Sequence, residues 1–152
     1  MKRLFYVFTL LMSTQASAQT LDAIINELGN YTQVHVDDVR CNDYNKHDAL
    51  YFPDTNEIIL CSDRIENGWP EHRITNAKKQ SLLHEAVHLA QDCAAGKSNT
   101  ILTVLDADRT VRPDILDKIK NGYLKEDQKI EIEAWSYWNK PGALDLVRKH
   151  CK

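Results

Sequence analysis

The sequence has no Cys-x-x-Cys pair, which argues against a four-thiolate zinc knuckle. It has no basic run or stripe: 19 Lys and Arg stand against 22 Asp and Glu, a formal net charge of -3, so a nucleic-acid surface is not expected. Internal repeats, low-complexity tracts and linker-like stretches are all missing, which points away from solenoids and strings of modules. Beyond the first residues, no apolar run approaches the roughly 20 residues that a membrane-spanning helix needs.

The one long apolar run is N-terminal. Lys2 and Arg3 precede Leu4 to Met12, and Ala16-Ser17-Ala18 follows. A positive start, a short apolar stretch and an A-x-A site form the pattern of a secretory signal peptide. About nine apolar residues are too few to cross a bilayer. The expectation is therefore a signal peptide over 1–18 and a single domain over 19–152, exported to the periplasm or secreted, with no membrane segment after cleavage. Loss of Lys2 and Arg3 would take the formal charge from -3 to -5. No cysteine follows Ala18, so no lipid anchor is indicated there.

Four cysteines remain: Cys41, Cys61, Cys93 and Cys151. An even count in an exported chain predicts disulfides, with three possible pairings. The preferred pairing is Cys41–Cys61 with Cys93–Cys151. The first would close a loop around a hairpin, and the second would tie the C-terminal segment to the end of a long helix.

Leu21, Ile24, Ile25 and Leu28 fall at helical spacing before Gly29-Asn30. Gln33 to Val36 alternates as a strand does. Ala49 to Phe52 and Glu57 to Leu60 flank Pro53-Asp54-Thr55-Asn56, the pattern of a β-hairpin. Glu66 to Arg73 reads as a loop. A long helix is predicted from Asn76 to Cys93, with Thr75 as N-cap and Gly96 as stop. Further helices are predicted over Ile101–Leu105, from Pro113 to near Gly122, over Lys125–Asn139 and over Ala143–His150. The order is helix, small sheet, then several helices, which is α+β.

His84-Glu85-Ala86-Val87-His88 is H-E-x-x-H inside the long helix. Residues i and i+4 share a helix face, so both imidazoles can ligate one ion, and Glu85 projects from the adjacent edge toward a water on it. Composition alone would give roughly 0.01 such matches in a chain of this length. A catalytic zinc keeps three protein ligands and an open position, and it lowers the pKa of its water to roughly 7.

With a later glutamate on a helix, this motif resembles the gluzincin branch of zinc metallopeptidases. There the third ligand is a Glu in E-x-x-A followed by a polar residue; Glu131-Ile132-Glu133-Ala134 matches, while Trp135 departs from the pattern. The resemblance spans roughly Ala49 to Tyr137, the hairpin Ala49 to Cys61 looking like the edge strand beside a zincin cleft. No His-x-x-Gly-x-x-His extension follows His88, which excludes the metzincin branch. The resemblance implies a small zincin-like domain holding one zinc per chain on His84, His88 and Glu131, with Glu85 as general base for hydrolysis of a peptide or protein substrate. Glu133, about 200° from Glu131 around the helix, is the alternative ligand. The alternative function is a non-catalytic zinc-binding or interaction module. Tyr123, Tyr137, His72 and Arg109 are the candidates for stabilising an oxyanion. Asp92 either orients a ligand imidazole or is an exposed helix-end charge. His35, His47 and His150 read as surface histidines.

Overall fold

Thr20 is extended, and its hydroxyl accepts from the Ala23 N–H at 3.2 Å, which caps α1 (Leu21–Leu28). Ile24 and Leu28 are the core-facing residues of this helix, and the chain leaves it at Gly29. The computed structural model describes residues 19–44, 47–65, 68–97, 102–140 and 142–152. The expected signal peptide, Glu66-Asn67 of the expected loop and Ile101 lie outside the described residues.

Three strands follow: β1 (Gln33–Val36), β2 (Ala49–Phe52) and β3 (Glu57–Leu60). β2 and β3 form the expected hairpin, with Asn56 taking the left-handed conformation (φ 52°) that asparagine tolerates. The sheet order is β1-β3-β2, with β1 parallel to β3. β3 is therefore central, and Ile58, Ile59 and Leu60 are wholly buried. Asp37 ends β1 with φ 56°, and its carboxylate accepts from the Ser62 N–H at 2.6 Å.

The long helix α2 (Glu71–Ala94) begins five residues before the expected Asn76. Thr75 is inside it rather than at its cap. Pro70, at the N-cap with φ −59°, launches the helix, and its carbonyl accepts from the N–H groups of Arg73 and Ile74. Glu71 to Arg73 are exposed and polar, and only Ile74 and Ala77 of the first two turns pack on the core, so apolar periodicity marks this start weakly. The second half is buried almost all round, because α1, β2, β3, α4 and α5 pack against it. Gly96, with φ 78°, turns the chain away after Ala94.

Three helices complete the fold: α3 (Pro113–Gly122), with proline in its first turn, α4 (Gln128–Tyr137) and α5 (Gly142–His150). The helix expected over Ile101–Leu105 is not formed at Leu102–Leu105. Those residues run as an irregular strap whose N–H groups are taken by tertiary acceptors: Thr103 N–H by the Gln91 carbonyl, and Leu105 N–H by the Glu133 carboxylate. Backbone donors satisfied from outside leave no reason to coil.

The chain is α+β, with a small three-stranded sheet and five helices among the described residues. Both expected disulfides are present. Cys41–Cys61 links the turn after β1 to the end of β3, and Cys93–Cys151 links the end of α2 to the residue after α5. Among the described residues no helix is long and apolar enough to cross a membrane. Two disulfides fit an oxidising compartment such as the periplasm or the extracellular space.

Candidate metal centre

Leu82, Leu83, Ala86, Val87, Leu89 and Ala90 place α2 in the core. Glu85, His88, Gln91 and Asp92 are buried on the same stretch. Burying a polar group without a partner costs about 1–3 kcal/mol by mutational measures, so these side chains need partners in the interior.

His84 Nε2 and His88 Nε2 are 3.1 Å apart, one helical turn separating the residues. From α4, Glu131 places Oε2 3.4 Å from His84 Nε2 and Oε1 3.4 Å from His88 Nε2. A tetrahedral ion with arms of about 2.0–2.1 Å to nitrogen and oxygen has ligand–ligand edges of about 3.3–3.4 Å. The 3.1 Å gap between the histidines and the two 3.4 Å gaps, each to a different Glu131 oxygen, lie close to that spacing, and the group can hold a metal ion. His84 Nδ1 and Glu131 Oε2 are buried without a hydrogen-bond partner among the described residues. An ion on this face would satisfy the Glu131 oxygen.

Electrostatics follow from the same contacts. Burial works to lower the His88 pKa, but hydrogen bonding and charge from Glu131, with the charge of Glu85 behind them, lift it to about 9. Burial works to raise Glu131, and the two histidines overcome it, holding the carboxyl well below the usual range. Without an ion the result is a negative carboxylate beside a protonated His88, and an ion bound there would take the proton's place.

The centre faces a cleft of about 900 Å³. β2, an edge strand, forms one wall through Ala49, Leu50 and Tyr51. Trp69, Trp135 and Trp138 contribute aromatic surface, and Trp135 stands edge-on to His84 with ring centroids 4.9 Å apart. Glu85 lines the cleft beside the histidines. His47, read as a surface histidine, is exposed and lies in the cleft wall, while His35 pairs with Glu57 at 3.0 Å on the sheet.

Between the two glutamates the geometry is plain: Glu131 meets the histidines, and Glu133 faces the opposite way. Among the four oxyanion candidates, Tyr123 reaches the cleft. Burial pushes its hydroxyl up to about 12, helped by the charges of Glu131 and Glu85 and a hydrogen bond to Glu131. Tyr137 and Arg109 pair with each other instead, the guanidinium 4.3 Å over the ring. His72 is exposed on the first turn of α2 in a separate shallow depression.

Asp92 corrects both expectations made for it. It is 1 % exposed, and its carboxylate accepts from the Tyr51 hydroxyl at 2.6 Å, tying β2 to α2 and keeping the tyrosine protonated. The imidazole of His88 is met by Gln91 instead, 2.8 Å from Nδ1. Sequence reasoning misses Gln91. Its one signal is a polar residue three positions after His88, on the turn where an apolar residue would be expected.

Compared with protein-family models, curated proteins and solved structures, the chain finds no match.

Proposed function

We propose that this chain is an exported, zincin-like, zinc-dependent peptide-bond hydrolase of the gluzincin type. The observation that supports it best is the convergence of His84, His88 and Glu131 on a cleft that Glu85 also lines. Two imidazoles and one carboxylate are the donor set of a catalytic zinc with an open position.

Zinc bound there would supply Lewis acidity, polarising a substrate carbonyl and bringing the pKa of water down to roughly 7. Glu85 then takes the proton from the attacking water and delivers it to the leaving amine. It is suited to both steps because it stands beside the ligand imidazoles without being one of them. Tyr123 donates its O–H to the oxygen on which negative charge develops; a hydroxyl that stays protonated at neutral pH is the required form. The tryptophans on the cleft wall exclude water and offer apolar surface to a peptide side chain.

Purified residues 19–152 should carry about one zinc per chain, and the His84→Ala/His88→Ala double variant none. Glu85→Gln should retain zinc and fold while losing at least about 10²-fold in chelator-sensitive hydrolysis of a peptide library. Full zinc retention by the double histidine variant would end the metal reading. A wild type that binds zinc with a fourth protein ligand and cleaves no peptide would favour a non-catalytic zinc-binding module instead.

A further inference from the structure

Gln91 and Glu133 are two of the most deeply buried polar residues in the chain, 0 % and 1 % exposed. Glu133 accepts from the Leu105 N–H at 2.9 Å, the Asp106 N–H at 2.5 Å and Gln91 Nε2 at 2.8 Å. Gln91 Nε2 also donates to the Ile130 carbonyl at 3.2 Å, and Gln91 Oε1 is the atom that meets His88 Nδ1.

The donor and acceptor inventory makes this chain of contacts directional. The Ile130 carbonyl can only accept, so the Gln91 amide must turn its NH2 toward α4. Its oxygen is then left facing His88 and can only accept. His88 must therefore carry a proton on Nδ1, which leaves Nε2, the atom facing His84 and Glu131, as its ligand atom. A flipped amide would set oxygen against the Ile130 carbonyl and Glu133 together, which neither tautomer of the histidine can repair.

We infer that Gln91 and Glu133 are positioning residues of the metal centre, a relay from α4 through Gln91 that fixes the tautomer and ring orientation of the ligand His88. The inference rests on the metal reading above. Outer partners of ligand histidines typically account for 10–100-fold in metal affinity. The two histidines are unequal in this respect. His88 is held by the relay, whereas His84 Nδ1 has no hydrogen-bond partner among the described residues and its ring is held by Trp135. Glu133 also clamps the strap that contributes Leu102 to the cleft, so one carboxylate positions both a ligand and a wall.

The test is zinc affinity, measured by competition with a chromophoric chelator, in wild type, Gln91→Met, Gln91→Glu and the swap Gln91→Glu/Glu133→Gln. Gln91→Met keeps the shape and removes all three hydrogen bonds of the side chain; zinc affinity should fall 10–100-fold. Gln91→Glu sets two carboxylates against each other in a buried site and should fall further. In the swap, the amide placed at position 133 donates to the carboxylate placed at position 91, while its oxygen accepts from Leu105 and Asp106. The carboxylate at position 91 still accepts from His88 Nδ1, so the relay is remade at the cost of an oxygen set against the Ile130 carbonyl. Zinc affinity should rise about tenfold or more above that of Gln91→Glu, a coupling between the two positions that a merely space-filling role would not produce. Nitrogen NMR of the zinc form should show the His88 proton on Nδ1.

Wild type that binds no zinc would overturn the metal reading itself. Wild type that binds zinc, with a folded Gln91→Met of equal affinity, would overturn the relay alone. Should Gln91→Met fail to fold, a folded swap variant that binds zinc no more tightly than Gln91→Glu would overturn the relay just as well.

Discussion

Removing the Cys93–Cys151 bridge should be the most destabilising single cross-link change in this protein. The bridge closes a span of 58 residues, against 20 for Cys41–Cys61. In the chain-entropy description, loop closure scales as 2.1 + 1.5R ln n, which gives about 4 kcal/mol at 25 °C for the longer span and about 3 for the shorter. Cys151 is 9 % exposed, so alanine is a better replacement than serine, which would add a buried hydroxyl. Ala143, Leu144 and Val147 still bury α5 against the core; a leucine or valine contributes about 1.5–3 kcal/mol each. The helix should therefore stay docked, and Cys93→Ala/Cys151→Ala should unfold cooperatively at lower denaturant rather than fray. With a urea slope of about 1.5–2 kcal/mol/M, the midpoint should fall by about 2–3 M. The assay is urea titration followed by circular dichroism and tryptophan fluorescence side by side. A larger loss from Cys41→Ala/Cys61→Ala, or separate transitions by the two probes, would refute the reasoning.

Glu131→Gln should weaken zinc by far more than Glu133→Gln, in equilibrium dialysis, because only the first removes a charged donor facing the histidines. Equal losses would mean that the two glutamates share one function. Tyr123→Phe should keep zinc and lower kcat on a cleaved peptide by about 10–10³-fold with little change in KM, the usual scale for an oxyanion donor. An unchanged kcat would remove Tyr123 from the chemistry. Hydrogen bonds from Arg40 lower Asp38 and Glu57 from their ordinary 3.8 and 4.5 to about 2. Groups depressed on folding contribute stability that is present above about pH 4.5 and is lost as pH falls toward 2. Arg40→Ala should flatten the stability profile in that window, read as urea midpoint against pH, and a profile parallel to wild type would count against the assignment.

What the sequence carries, and what it does not, divides along a physical line. α1, β1, the hairpin and the boundaries of α3 are legible because local periodicity and turn residues specify them without outside help. The pairing of β1 with β3 is not, since Gln33 to Val36 alternates in the same way whichever strand it joins. The early start of α2 is hidden because Glu71 to Arg73 are exposed and Ile74 is the one apolar residue of that turn. Leu102 to Leu105 misleads because its apolar residues suggest a helix while its N–H groups answer to Gln91 and Glu133. His84, Glu85 and His88 can be named from spacing alone, and the order of Glu131 over Glu133 comes from the resemblance. Gln91 and the Tyr51–Asp92 pair become visible only with the partners that bury them, since nothing in a linear string distinguishes a buried amide from a solvated one.

Glu131 and Glu133 sit two positions apart on α4 and grip opposite neighbours, the histidine pair on one side and the strap with Gln91 on the other. A helix advances about 100° per residue, so an insertion or deletion between Glu131 and Glu133 cannot be absorbed by turning the helix. Any rotation that restores one grip breaks the other. Length variation in this protein should therefore be kept out of this part of α4 and fall in the irregular segments between elements. α4 behaves as a gauge that tolerates drift in side chains but not in count.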